Sequence, residues 1–241
     1  MKLLYEDCFD CKDIEVKAAE DVGFEVIPFD IRTCCINDLP SESFIFRGSL
    51  EGLAWLDRMK HPHYIRLSQL SYYSVSEYSS SFGKHYLNSD FIILPAGKIK
   101  ENKELIFKCF EGDRFFIKPN SGDKLFTGTT LTKKWFDKEI DIIFNDLNSK
   151  TVADNDLIMF SSYKHVGEEI RSVIVDDCVL TNADKVPDWF SEYIEQYCFE
   201  DAFYTADFCG EKLVEINSIS CSGFYNSYDD IYFELFEYLN G

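Results

Sequence analysis

Arg114-Phe-Phe-Ile-Lys118-Pro-Asn-Ser-Gly-Asp-Lys124-Leu-Phe-Thr-Gly128 is the stretch on which the reading of this chain turns. An apolar strand over Arg114–Pro119 carries a lysine near its end and runs into a polar, glycine-containing loop over residues 120–128. A cation in that position needs a fixed anionic partner or a route to water. Ser121, Gly122, Thr127 and Gly128 are small, so their backbone N–H groups can approach a phosphate chain closely, and Lys124 adds charge. Taken alone, a hairpin loop with a surface lysine explains the stretch equally well.

Three later segments carry related signals. Glu169-Ile-Arg171 reads as part of a strand over residues 168–175. Positions i and i+2 of a strand share a face, so Glu169 and Arg171 are expected side by side with Ile170 turned to the core. The plain reading is a surface ion pair of little weight; the functional one is an arginine aimed at a transferring phosphoryl group. Tyr204-Thr-Ala-Asp207-Phe208 and Val214-Glu215-Ile-Asn217 form a hairpin across Cys209-Gly210. Glu215 and Asn217 share a face that Asp207 can reach from the neighbouring strand. Two carboxylates and an amide are oxygen ligands suited to Mg²⁺, although an acidic hairpin in an acidic chain is a real competitor. Ser218-Ile-Ser220-Cys-Ser222-Gly223-Phe-Tyr225 follows directly. Its hydroxyls and N–H groups suit a substrate carboxylate; the bland alternative is a strand-to-helix connection.

Working outward, residues 2–5 read as a strand, 13–22 as a helix stopped by Gly23, and 24–29 and 43–47 as two more strands. Gly48-Ser49 then introduces a helix over Leu50–Met59. That order suggests a small α/β unit with a parallel sheet. Residues 72–82 are a helix or a wrapped connection, 87–94 are extended and 101–110 helical. Trp135, Ile140, Ile143, Phe144 and Leu147 recur at helical spacing and predict a helix over 132–147. Residues 157–160 form a buried strand, and Asp176-Asp177 makes a hairpin turn between 168–175 and 178–181. A helix opens at Pro187 and runs to Tyr197, and another spans 228–239.

With 46% hydrophobic residues, 22 Phe and 14 Tyr among 241, the chain can bury a sizeable core. The balance of 24 Lys+Arg against 43 Asp+Glu gives a net charge of −19. A surface this acidic repels nucleic-acid phosphates and anionic membranes. It repels nucleotides too, so a nucleotide site needs a local set of cations and a metal. Nine cysteines, an odd number, and an opening stretch that is charged within six residues point to free thiols in the cytoplasm. Cys8-Phe-Asp-Cys11 has zinc or redox spacing but no second pair to complete it.

The order of these pieces resembles the ATP-grasp superfamily, and within it the clade named for one arginine and two lysines, common in phage and bacterial genomes. The matching pieces are Leu87-Asn88, Phe116-Ile-Lys118-Pro with Lys124-Leu-Phe-Thr-Gly128, Glu169-Ile-Arg171, and Val214-Glu215-Ile-Asn217 with Ser222-Gly223-Phe-Tyr225. The resemblance implies an α+β, ATP-grasp fold, two α+β subdomains gripping ATP, preceded by a small α/β domain. It divides the chain at residues 1–85, 86–160 and 161–241. It implies that Lys118 contacts the α- and β-phosphates and that Lys124 closes over them. Met159, Phe160, Ser161 and Ser162 would form the hinge that meets adenine, with Glu169 also on the nucleotide side and Lys164 near it. Arg171 would stabilise the transferred phosphoryl group, while Asp207, Glu215 and Asn217 hold Mg²⁺. Ser220, Ser222, Gly223 and Tyr225 would contact the acceptor. The segment between Asn182 and Asp201 lacks family landmarks, and no arginine-proline pattern precedes Lys118.

The implied activity is ATP-dependent ligation of a small carboxylate, an amino acid or a peptide, to an amine or other nucleophile through an acyl phosphate. Two other classes stay open: a small-molecule kinase on the same fold, and a non-enzymatic acidic protein that binds a basic partner or mimics nucleic acid.

Overall fold

The computed structural model describes residues 1–145, 151–176, 178–196 and 202–241. The chain divides into two units, one of Met1–Gln69, Ile170–Phe208 and Glu215–Gly241, the other of Leu70–Glu169 and Cys209–Val214. The first begins with β1 (Lys2–Glu6), α1 (Lys12–Asp21), β2 (Glu25–Phe29), β3 (Phe44–Arg47) and α2 (Leu50–Met59). The strands make a parallel sheet in the order β2-β1-β3, with Leu3 opposite both Val26 and Ile45. This is the sheet that the strand, helix, strand order predicted. β1 is a continuous apolar run because it lies at the centre of a sheet with both faces covered: Leu3, Leu4 and Tyr5 are all buried. Gly23 takes φ +108, the left-handed geometry that ends a helix, and a side chain there would press on the Phe236 ring. Ser49 caps α2, its hydroxyl accepting from the Gly52 amide at 3.0 Å.

The second unit contains α3 (Val75–Phe82), β4 (Ile92–Pro95), α4 (Lys103–Cys109), β5 (Arg114–Pro119), β6 (Thr129–Thr132), α5 (Phe136–Phe144) and β7 (Leu157–Ser162). Its sheet is antiparallel, in the order β4-β7-β5-β6. Phe115, Ile117, Leu131, Ile158 and Phe160 face a core closed by Ile106, Phe136 and Ile140 from the helices. Three expectations are corrected here. Extended structure in 87–94 shrinks to β4. The helix expected from residue 132 starts at Phe136, because the β-branched run Thr129–Thr132 pairs with β5 instead. Thr132 ends that strand and its hydroxyl accepts from the Trp135 amide at 3.3 Å. Trp135 is therefore outside the helical stripe, 52% exposed, with the ammonium groups of Lys134 and Lys138 over its ring. Leu147, Asp177 and Tyr197, which end or turn three expected elements, lie outside the described residues.

The chain continues with β8 (Ile170–Val175), β9 (Cys178–Val179), α6 (Asp188–Gln196), β10 (Phe203–Cys209), β11 (Lys212–Ser218) and α7 (Tyr228–Asn240), which belong to the first unit except for Cys209–Val214 of the β10–β11 hairpin. These strands are ordered β11-β10-β8-β9. Gly210, at φ +53, makes the turn of the predicted β10–β11 hairpin. Val173, Val175 and Phe203 share one core with Leu3, Ile45, Leu67 and the inner face of α7 (Ile231, Tyr232, Leu235). Strand β8 starts at Ile170, so Glu169 lies just outside it and strand alternation does not set its direction.

Among the described residues no helix is long and apolar enough to cross a membrane. The thiols of Cys8 and Cys11 are exposed and unbridged, with Cys8 pushed up to about 11 by burial and by Glu6. A raised thiol is a poor nucleophile and a poor metal ligand.

Candidate functional site

Lys118 sits on β5, whose alternation sends Phe115 and Ile117 into the core and leaves Phe116 and Lys118 half-buried on the other face. The Lys118 ammonium donates to the Tyr78 hydroxyl at 3.2 Å and lies 5.8 Å from the centre of that ring. Tyr78 is fully buried on α3 and meets Tyr86 edge-on at 5.3 Å. Asn120 ties the start of α3 to the end of β5: its side chain accepts from the Ser76 amide (3.0 Å) and its carbonyl from the Val75 amide (2.8 Å). One partner of the lysine in this strand is thus a phenol on α3.

The loop over residues 120–128 is pinned at three points. A side chain at Gly122 would come within 2.9 Å of the Tyr73 side chain. Phe126 is buried in the core, and Gly128 packs so closely on Phe116 that a Cβ would stand 2.6 Å from its ring. Between these anchors Lys124 is exposed and takes φ +48, a left-handed geometry uncommon for a residue with a side chain. The structure therefore places Lys118 on a sheet and Lys124 at the tip of an anchored loop.

The positions expected to meet adenine lie at the end of a central strand. Strand β7 continues to Ser162 and lies between β4 and β5. Met159 pairs with Ile93 and Lys118, and Phe160 with Ile92 and Ile117. Their backbone groups lie in the ladder and both side chains are buried. Ser161 donates to the Asn88 side chain at 3.0 Å, which gives the Leu87-Asn88 pair a structural partner. Lys164 pairs with Asp90 and donates to the Ser162 hydroxyl at 3.0 Å. Burial works to raise the Asp90 carboxyl, but the lysine and Ser162 outweigh it and hold it below its ordinary value. Asp90 gave no sequence signal, since nothing in 87–94 ties an aspartate to a lysine some seventy residues on.

In the first unit, Arg171 of β8 and Asp207 of β10 are directly opposite in the antiparallel register. Arg171 forks onto the carboxylate, Nε to Oδ1 and Nη2 to Oδ2, both at 2.7 Å. Asp207 is 3% exposed, and Asn217 of β11 donates to the same Oδ2 at 3.2 Å. Arg171 also donates to the Gly223 carbonyl at 3.4 Å, and its guanidinium carbon is 5.2 Å from the Tyr225 ring. Burial opposes the charge on Arg171, but Asp207, then Tyr225 and Glu215, more than offset this and its pKa is raised. Arg171 thus makes a cross-strand pair with Asp207 that the sequence reading did not foresee. The register of two non-consecutive strands, which decides this, is not written in the local pattern. Ser220 and Ser222 are buried beside this cluster in sequence, whereas Tyr225 is exposed.

Asn217 of β11 is hydrogen-bonded to Asp207 of β10, and Glu215 lies two residues before Asn217; carboxylate and amide oxygens are of the kind that suits a hard divalent cation. Among the described residues no trio drawn from His, Cys, Asp and Glu is gathered for a metal.

No protein-family model matches the sequence, and no curated protein matches it significantly. Solved structures do match in shape. A RimK domain ATP-grasp protein from Sphaerobacter thermophilus superposes with a TM-score of 0.65 at 8% identity over all of both chains. D-cycloserine synthetase DcsG gives 0.64 at 11% identity, covering 99% of this chain and all of that one. The ATP-grasp ligase PsnB, complexed with minimal precursor, Mg and ADP, gives 0.57 at 10% identity over 100% and 98% of the two chains. The chain has the ATP-grasp fold.

Proposed function

We propose, from this fold and its charged residues, that the chain is an ATP-dependent ligase joining a small carboxylate, an amino acid or a peptide to an amine through an acyl phosphate. The observation that carries the proposal is the buried Arg171–Asp207–Asn217 constellation, with Glu215 two residues before Asn217 on β11. A fork of two charge-assisted bonds costs much desolvation, and replacing such a pair by apolar residues is often neutral or stabilising. Its retention is better explained by chemistry than by stability.

In this reading Lys118 neutralises the α- and β-phosphates, with Tyr78 fixing its direction, and Lys124 approaches them from the loop tip. Met159, Phe160, Ser161 and Ser162, at the end of β7, form the hinge that meets adenine, with Glu169 on the nucleotide side. Asp207, Glu215 and Asn217 hold Mg²⁺, which when bound neutralises phosphate charge. An oxygen of the substrate carboxylate attacks the γ-phosphorus; the bond from that phosphorus to the β–γ bridging oxygen breaks, and ADP leaves with the electron pair. The amine nitrogen then attacks the acyl carbon, inorganic phosphate departs with the electron pair, and the nitrogen loses a proton to solvent. Arg171 offsets the charge on the transferred group, and its two aligned donors suit phosphoryl oxygens. Ser220, Ser222, Gly223 and Tyr225 line the acceptor side. Exposed free thiols at Cys8, Cys11, Cys35, Cys109 and Cys178 fit a reducing cytoplasm. The sequence resemblance to the arginine-and-two-lysine clade supports this reading.

The test is Mg-ATP-dependent ADP release across a panel of amino acids, peptides and amines. Lys118→Ala and Glu215→Ala are expected to reduce release at least about a hundredfold while circular dichroism is unchanged. Wild-type rates in both variants would overturn the assignment, and a phosphorylated product without an amide would replace the ligase by a kinase.

A further inference from the structure

Arg47, which ends β3, is 3% exposed, far from Arg171 in sequence and without a role in the chemistry above. Its Nε donates to Glu15 Oε1 at 2.6 Å. Tyr232 donates to that oxygen and Tyr5 to the other, each at 3.0 Å, so Glu15 is fully engaged within the core. The remaining contacts of Arg47 reach the loop after β11. Nη1 donates to the Ile219 carbonyl at 2.8 Å, and the guanidinium carbon lies 3.9 Å from the centre of the Phe224 ring and 4.0 Å from Phe9 on its other face. Next to it, the Gly48 amide donates to the Ser220 carbonyl at 2.8 Å. The same loop carries the Gly223 carbonyl that accepts from Arg171 and the Tyr225 ring beside it.

We propose that Arg47 is a positioning residue: by holding Ile219 and Phe224 it fixes the loop that orients Arg171. A residue present only to neutralise Glu15 needs one contact, and a lysine would supply it. Here one planar group makes an ion pair, a carbonyl bond and a two-sided ring stack, which only a guanidinium can do at once. The loop between the 3₁₀ turn at Ile219–Cys221 and α7 has no ladder of its own, so its shape depends on such side-chain ties. The catalytic consequence rests on the ligase reading; the structural one does not.

Two variants test this. Arg47→Lys keeps the charge for Glu15 and loses the stack and the carbonyl reach. The double change Glu15→Gln/Arg47→Met removes both charges, so no unpaired ion is left behind if the lysine variant fails to fold. Hydrogen exchange without nucleotide is expected to quicken about tenfold or more at the amides of 219–225, with those of β8 and β10 within about twofold of wild type. ADP release with water as acceptor is expected to show kcat reduced about tenfold and KM for ATP within about twofold. Unchanged exchange at 219–225 in a folded variant overturns the proposal, as does a loosened loop with unchanged kcat. A wild-type chain that neither releases ADP nor gains thermal stability from Mg-ATP sinks the ligase reading instead, and the exchange arm still decides whether Arg47 holds the loop.

Discussion

At the scale of single residues, Asp207 is closed by its own neighbours. Both of its oxygens are taken by the Arg171 fork, and one also by Asn217. Three of its roughly four lone-pair sites are then used, so a cation competes with the arginine for this carboxylate, a competition eased when a phosphate is present to receive the guanidinium. Metal and nucleotide should then bind together better than either alone. Arg171→Met removes the competitor and leaves a buried carboxylate unpaired, a loss of about 3 kcal/mol or more. Mn²⁺ without nucleotide should raise the melting temperature of this variant more than that of the wild type, and Asp207→Asn should abolish the effect. An equal Mn²⁺ shift in wild type and Arg171→Met would refute the competition. Gly128 tests a different kind of constraint. Alanine there puts a methyl 2.6 Å from the Phe116 ring and 3.3 Å from Lys118 Cβ, so Gly128→Ala should cost about 1–3 kcal/mol in urea denaturation and disturb Lys118 with it.

At the scale of elements, the phosphate-loop reading depends on how the loop is tethered. Phe126, only 5% exposed, is the anchor that separates the exposed Lys124 tip from the start of β6. Phe126→Ala should lower stability by about 3–5 kcal/mol and make residues 121–127 the first site of limited proteolysis. The short turn Gly83–His85 offers a pH test. Burial, then Lys84 and Lys212, hold the His85 imidazole below its ordinary value. Between the folded and unfolded values the unfolded chain binds more protons, so stability rises with pH and levels off above about 6.5. His85→Asn should flatten that segment of the pH–stability curve. Much of this layer was legible in sequence. The β1–α1–β2 order, β3 with α2, and the β10–β11 hairpin all followed from apolar runs bounded by Gly23, Gly48 and Gly210. The start of α5 did not, because Thr129–Thr132 gains from pairing with β5 and helical spacing in Trp135 and Leu147 hid that. Nor did the end of β7: Ser161 and Ser162 are polar, yet they continue a central strand because Ser161 finds Asn88.

At the scale of the whole molecule, the charge poses the sharpest question. A chain with net charge −19 should repel Mg-ATP, itself anionic, only out to about the Debye length, which is about 8 Å at physiological salt and about 30 Å at 0.01 M. The lysines and arginine of the proposed site act only at close range. Two consequences follow with different sensitivity to salt. The association rate of Mg-ATP, measured by stopped flow, should rise as ionic strength increases from about 0.01 to 0.15 M, because long-range repulsion is screened first. The stabilisation at saturation should change little, since it comes from contacts with Lys118, Arg171 and the oxygen-donor set. By mass action, Mg-ATP at a hundred times its dissociation constant should add about 2.7 kcal/mol to the unfolding free energy, read as a rise in melting temperature that Lys118→Ala removes. An acidic protein built to hold a basic partner predicts the reverse: no shift with Mg-ATP, and a shift with polylysine that salt abolishes. The same bulk charge serves both accounts, so only the nucleotide arm of the experiment separates an acidic enzyme from an acidic mimic.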